Sequence, residues 1–169
     1  MQVFWGAKVF VTGLNEKSSQ GDKAVKEILQ QFEENKNIQV DAQNIPDLIP
    51  VLAVAACGRK AETTFINCAR LRLKESDRID STCKMIENLG GKTASTKDSL
   101  TVFGSGKLKG GTVDGMNDHR IVMASAIASV LCEKSVTILG SEAINKSYPT
   151  FFNDFESLKG EFNVINVRQ

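Results

Sequence analysis

Charged and polar side chains gather at four places in this sequence. They are Asn44-Ile45-Pro46-Asp47, Lys74-Glu75-Ser76-Asp77-Arg78, Asn117-Asp118-His119-Arg120 and Lys146-Ser147-Tyr148-Pro149. Each lies where a loop runs into an expected helix. Lys74, Arg78, Arg120 and Lys146 therefore fall at or near helix N-termini, where the dipole and the free backbone N–H groups favour anions and oppose cations. A single such cation reads as solvated charge at a loop tip. Four in equivalent places, with carboxylates beside them, point to a site for phosphate or carboxylate groups that can also move protons.

The densest run spans residues 70–78. Its alternation of basic and apolar residues predicts an extended segment with Arg70, Arg72 and Lys74 on one face. Ser76 or Asp77 then caps a helix, and Arg78 sits in its first turn. Asp118 enters a second helix as a cap. Asp47 holds the same place before an earlier helix, where cap and catalyst are both open to it and spacing alone favours the cap. His119 is the one histidine of the chain. Its polar neighbourhood leaves structural and catalytic roles evenly balanced.

The elements that must position these residues follow a repeated plan. Runs rich in β-branched residues predict strands over 8–13, 63–68 and 135–140. Apolar positions three and four apart predict helices over 22–32, 76–89 and 149–158. Two further helices, over 47–56 and 118–131, are Ala-rich and apolar on nearly every side, so both are expected to be buried. The order helix, strand, loop, helix thus occurs twice, and its last half also opens the chain, as in stacked equivalent lobes. After the Gly90-Gly91 helix stop, 92–94 and 100–103 read as a hairpin and 104–111 as a loop. The matching stretch of the first copy, 33–45, has room for one short strand over 38–40. The array reads as about two units with the first incomplete: lobe 1 over about 1–62 and lobe 2 over about 63–169.

Composition narrows the function classes. The chain has 169 residues, 41% hydrophobic and 24% charged. That is enough to bury a core without disulfide staples. Lys plus Arg number 21 against 20 Asp plus Glu, a net charge of +1. The balance argues against nucleic-acid or membrane partners, though it leaves room for a local anion site. No run approaches the length of a membrane span, and the opening Met1-Gln2-Val3-Phe4-Trp5-Gly6 lacks the basic end and apolar stretch of a signal peptide. Cys57, Cys68, Cys83 and Cys132 form no Cys-x-x-Cys pair and lie far from His119 in sequence, so zinc is not expected. They read as reduced, largely buried thiols of a cytoplasmic protein.

Ile45-Pro46-Asp47, Lys74-Glu75-Ser76-Asp77-Arg78, Asn117-Asp118-His119-Arg120 and Lys146-Ser147-Tyr148-Pro149 together resemble the motifs of the 5-enolpyruvylshikimate-3-phosphate synthase family, in that family's order and at about its spacing. The resemblance covers nearly the whole chain. It implies an α/β enolpyruvyl-transferase fold, inverse α/β barrel-like, with domains built from repeated βαβαββ units. It also implies a transferase that moves the enolpyruvyl group of phosphoenolpyruvate to the 5-hydroxyl of shikimate 3-phosphate and releases phosphate. On this resemblance Asp47 is the base for the hydroxyl and Lys74 touches the same group. Glu75 takes part in proton transfer at the methylene carbon. Arg78, Arg120 and Lys146 hold phosphoenolpyruvate, and His119 supports the site. No cofactor and no metal are implied.

The departures are also specific. The family chain has two domains, and this sequence resembles the latter part of the second, C-terminal one. The N-terminal domain and the opening of the second domain, with its Glu-Gly-Asp segment, have no counterpart here. The stretch 33–45 lacks a hairpin the family usually has, and Arg70 and Arg72 receive no role. The isolated chain is therefore expected to fold, to bring Arg78, Arg120 and Lys146 onto one anion pocket, and to be inactive. Two alternatives remain: a non-catalytic anion-binding or interaction module of the same fold, and a fragment of the related UDP-N-acetylglucosamine enolpyruvyl transferase. The pairing of Lys-Glu-Ser-Asp-Arg with Asn-Asp-His-Arg speaks against the latter.

Overall fold

A computed structural model of the chain describes residues 19–166 throughout and, before them, residues 2–4, 7–9, 13, 15 and 17. Strands β1 (Gln2–Phe4) and β2 (Ala7–Val9) form an antiparallel hairpin. Lys8 and Val9 of the expected strand over 8–13 belong to β2, whereas residues 10–12 lie outside the described residues. Helix α1 (Val25–Phe32) follows a 3-10 turn, Gly21–Ala24, and buries Ile28 and Phe32 on one face.

The central sheet has the order β3-β4-β6-β5, with β3 (Ile38–Asp41), β4 (Glu62–Ile66), β5 (Thr93–Ser95) and β6 (Ser99–Phe103). β3 and β4 are parallel, with Val40 opposite Phe65. β4 and β6 are antiparallel, as are β5 and β6. A parallel pair needs a long crossover. Helix α2 (Ile49–Cys57) supplies it here, which is why its sequence is apolar all round. Helix α3 (Arg78–Asn88) connects β4 to β5 and stops where Gly90 turns left-handed at φ +84°. The run from β3 to β6 therefore has the order βαβαββ.

A second parallel pair, β7 (Gly111–Asp114) and β8 (Val136–Leu139), is joined through helix α4 (His119–Ala128), and helix α5 (Phe151–Ser157) follows. The sequence reading has 104–111 as a loop and no strand after it. Gly111-Thr112-Val113-Asp114 has one buried residue, Val113, too few for an alternation to register; pairing with β8 makes it a strand. β3, from the expected first lobe, pairs with β4 from the second.

The core is formed where α2 packs against α4 on one side and against β4 and β6 on the other. Phe65, Leu100, Val102, Ala53, Val54, Ala124 and Ala128 are closed off completely. The alanines let the two helix backbones approach. A smaller cluster of Val122, Ala126, Ala143, Ile144 and Phe151 holds α5 against α4.

The short connection after α1 is held by Arg59, a buried side chain. Its guanidinium donates to the carbonyls of Phe32 (3.2 Å), Glu34 (2.7 Å) and Lys36 (2.6 Å), and to Thr63 Oγ1 (2.5 Å). It also lies 5.1 Å from the Phe32 ring centre. Orphan carbonyls at and just after the end of α1 are satisfied in this way.

Candidate active site

Helices α2, α3 and α4 each begin after the carboxyl end of a strand, β3, β4 and β7. Side chains from these three helix starts meet in one cluster. In α/β sheets such strand ends are the usual place for a ligand.

Arg78 is the hub. Its side chain is 1% exposed. Nε and Nη2 donate to the two oxygens of Asp118 at 2.8 and 3.1 Å. Nη1 donates to Asp47 at 2.6 Å, and Nη2 also reaches Glu75 Oε2 at 2.5 Å. Each nitrogen of the guanidinium thus faces a carboxylate. Asp118, itself 0% exposed, further accepts from Ser76 Oγ at 3.0 Å and from the backbone N–H of Arg120 at 2.9 Å. Asp118 does cap α4, as its spacing predicts, and holds Arg78 as well.

Asp47 is not a cap. It lies in a 3-10 turn, Pro46–Leu48, that precedes α2, and no side-chain capping bond forms there. Its carboxylate instead binds Lys74 Nζ at 3.0 Å and Arg78 Nη1 at 2.6 Å, with Arg120 Nη2 3.9 Å away. Two strong cation partners turn it away from the helix. The cap of α3 is Asp77, which accepts from the Asp80 N–H at 3.3 Å.

The segment 70–74 is not a strand. Asn67 adopts a left-handed φ of +58° that ends β4, and Ala69–Leu73 coils into a 3-10 turn that buries Leu71 and exposes Leu73. Arg70 and Arg72 therefore part company. Arg70 donates to the Gln43 carbonyl at 3.3 Å. Arg72 is a structural tie: it binds Asp77 (2.6 Å) and Asp80 (3.2 Å) of the α3 start and the carbonyls of Thr96 (2.8 Å) and Lys97 (2.9 Å) in the β5–β6 turn.

The approach to α4 is strained. Met116 and Asn117 are consecutive left-handed residues, each with φ +51°. Such a conformation costs a non-glycine residue about 1–3 kcal/mol. Asp114 Oδ1 supports the turn by accepting from the Met116 N–H at 2.8 Å. The Asn117 carbonyl accepts from Lys146 Nζ at 2.6 Å. Lys146 thereby stands against the Asn117 side of the cluster, while Arg78 and Arg120 both approach Asp47.

The cluster is closed on itself. Asp47, Glu75 and Asp118 face Lys74, Arg78 and Arg120 in near-complete pairing. Burial alone raises the Asp118 carboxyl, but the hydrogen bonds from Arg78 and from the Arg120 backbone outweigh it and hold it below the ordinary value. Asp47 shows the same contest, and Lys74 and Arg78 win it. Burial, aided by Arg120 and Arg78, pushes His119 below its ordinary value, while Glu75 and Asp118 pull the other way. Two polar atoms enclosed here have no hydrogen-bond partner: His119 Nδ1 and Arg120 Nε.

Elsewhere the chemistry is thin. Cys57, Cys68 and Cys83 are buried and Cys132 half-buried, all as free thiols. Burial pushes Cys57 and Cys68 up to about 12. A groove of about 340 Å³ between α1 and β3 is lined by Ala24, Ile28, Val40 and Ile45, and Asp41 is its one charged lining residue. Among the described residues no helix is long and apolar enough to cross a membrane.

Parallel βαβ pairs carrying an ion cluster at three helix starts make an α/β fold, and its likeness to solved EPSP synthase structures marks it as the enolpyruvyl-transferase type. Known proteins make the family specific. The model of the EPSP synthase (3-phosphoshikimate 1-carboxyvinyltransferase) family matches residues 3–155, so the chain belongs to that family. The 3-phosphoshikimate 1-carboxyvinyltransferase of Clostridium acetobutylicum is 43% identical over 161 residues, covering 88% of this chain and 38% of that protein. The enzyme of the same name from Clostridium novyi is 40% identical over 170 residues, covering 92% and 39%. A 2.37 Å structure of EPSP synthase from Acinetobacter baumannii superposes with a TM-score of 0.68 at 30% identity, over 72% of this chain and 30% of that one. The chain thus spans about two fifths of the length of the relatives it matches.

Proposed function

We propose that this chain is the part of a 3-phosphoshikimate 1-carboxyvinyltransferase that carries the general base and the proton-transfer carboxylate. The enzyme moves the enolpyruvyl group of phosphoenolpyruvate onto the 5-hydroxyl of shikimate 3-phosphate and releases phosphate. The observation that carries this reading is the convergence of Asp47, Lys74, Glu75, Arg78, His119 and Arg120 at three helix starts. Asp47 takes the hydroxyl proton and Lys74, 3.0 Å from it, touches the same oxygen. Glu75 handles the proton at the methylene carbon. Arg78, Arg120 and Lys146 stabilise the carboxylate and phosphate of phosphoenolpyruvate, with bidentate geometry available to the arginines.

The closed pairing sharpens the proposal. Every cation around Asp47 already has a carboxylate partner, so a substrate anion must displace one of them. On this reading residues 1–169 are the latter part of the C-terminal domain, with lobes over about 1–62 and 63–169, and the N-terminal domain is the partner that completes the cleft. The protein works in the cytoplasm, without cofactor, nucleic acid or membrane.

The test is phosphate release from phosphoenolpyruvate in the presence of shikimate 3-phosphate. The chain alone gives no turnover, because lost orientation by itself costs on the order of 7–11 kcal/mol. Adding the separately produced remainder of a relative, its N-terminal domain together with the opening of its second domain, restores turnover, and Asp47→Ala removes it again. Turnover by the chain alone, or restored turnover indifferent to Asp47→Ala, overturns the reading.

A further inference from the structure

His119 is the first residue of α4, and its side chain is 9% exposed, so the ring is fixed by packing. Its Nδ1 is enclosed and has no hydrogen-bond partner. The carboxylate oxygen it approaches is Glu75 Oε1, at 3.6 Å. The other oxygen of the same carboxylate, Oε2, is held by Arg78 Nη2. Glu75 is 39% exposed and free to adjust where His119 is not.

We propose that His119 is the positioning residue for Glu75: the neutral ring carries its proton on Nδ1 and donates it to Glu75 Oε1, so that the carboxylate is clamped between His119 and Arg78. The contact as it stands is beyond hydrogen-bond range, and a movement of Glu75 by about 0.6 Å brings it to the usual N–H···O distance of ~3.0 Å. The alternatives are worse. With the proton on Nε2, the Nδ1 lone pair faces a carboxylate oxygen across an enclosed gap, an unfavourable meeting of two acceptors. Protonation of both nitrogens places a third full positive charge beside Arg78 and Arg120. Those two cations and burial oppose it, whereas Glu75 and Asp118 favour it. The neutral Nδ1–H form satisfies the enclosed nitrogen and fixes the direction of the carboxylate without adding a charge. The importance of Glu75 to the reaction rests on the function proposed above; the contact and its tautomer do not.

The single histidine makes the test direct. A long-range proton–nitrogen NMR correlation of the ¹⁵N-labelled chain reads the tautomer from the two ring nitrogens. The expected result is the Nδ1–H form above neutral pH. In Glu75→Ala that preference is lost and the signals move toward the Nε2–H form. In Glu75→Gln, which keeps an acceptor but removes the charge, the Nδ1–H form persists and the ring titrates at a lower pH than in the parent chain. An Nε2–H ring in the parent chain, or a titration unmoved by Glu75→Gln, overturns the proposal. Should Glu75→Ala fail to fold, those two measurements decide it. None of them depends on turnover, so a negative phosphate-release assay and a negative tautomer result are separate outcomes.

Discussion

Arg78 and Asp118 stand forty residues apart in the chain and meet through two hydrogen bonds, at 2.8 and 3.1 Å, with no more than 1% of either side chain exposed. The pair joins the start of α3 to the start of α4. It also explains why the charged cluster has a fixed shape: the planar guanidinium presents its remaining donors to Asp47 and Glu75 only in the plane that Asp118 sets.

Breaking this pair on one side leaves a buried charge without a partner. Asp118→Ala and Arg78→Met are each expected to destabilise the chain by about 3–5 kcal/mol. The double variant Arg78→Met/Asp118→Ala recovers part of the summed loss, because neither charge is left behind. Urea unfolding followed by circular dichroism measures all three. Additive losses in the double variant would show that the two residues act separately.

The same pairing makes the chain sensitive to acid. Asp47 and Asp118 are both held below the ordinary carboxylate value. A carboxyl whose folded value is depressed contributes stability that is fully present above its unfolded value of ~3.9 and is lost as the pH falls through the folded value. Stability is therefore expected to be level above about pH 5 and to drop below pH 4. Asp118→Asn removes the proton uptake that accompanies unfolding and flattens that drop, at the cost of lower stability at neutral pH. A melting-temperature profile from pH 3 to pH 7 checks both.

Which parts of this were legible in the sequence follows from where the information lies. The buried helices α2 and α4 were, because an all-round apolar surface has one physical meaning. The strands β4 and β8 were, from their β-branched residues. Strand β7 was not, because its four residues bury only Val113 and its existence depends on β8. The 70–74 segment misled, because basic–apolar alternation suits a strand, while Asn67 and the tie from Arg72 to Asp77 fix a 3-10 turn. For the candidate site, the cap at Asp118 could be read locally. Its grip on Arg78 could not, since nothing in local spacing links residues forty positions apart. Asp47 failed as a cap for the same reason: its partners Lys74 and Arg78 come from another motif. The left-handed Met116 carries no sequence signal at all, because methionine is a poor residue for that conformation.

The thiols give an independent check on the core. Cys57 and Cys68, pushed up to about 12 by burial, are expected to resist alkylation in the folded chain at pH 8, and Cys83, also buried, with them. Cys132, half-buried, reacts first and slowly. All four react promptly in denaturant. Mass spectrometry after timed iodoacetamide exposure counts them. Rapid modification of Cys57 in the native chain would mean that the α2–α4 packing opens readily.

Lys74, Arg78 and Arg120 face Asp47, Glu75 and Asp118, so the chain competes with any anion for its own cations. Removing the charge of Asp47 frees Lys74 and one donor of Arg78. Asp47 is 37% exposed, and a partly solvated pair of this kind contributes on the order of 1 kcal/mol. Asp47→Asn is therefore expected to bind inorganic phosphate or phosphoenolpyruvate about fivefold more tightly than the parent chain, as measured by calorimetry at fixed ionic strength. The same substitution in the enzyme reassembled with the remainder of a relative should lower turnover by about a hundredfold or more, the usual worth of a general base. Tighter binding joined to slower turnover separates a catalytic carboxylate from one that merely assembles the site. If Asp47→Asn weakened anion binding instead, Asp47 would be holding Lys74 and Arg78 in their binding positions, and its role would be to shape the pocket rather than to take the proton.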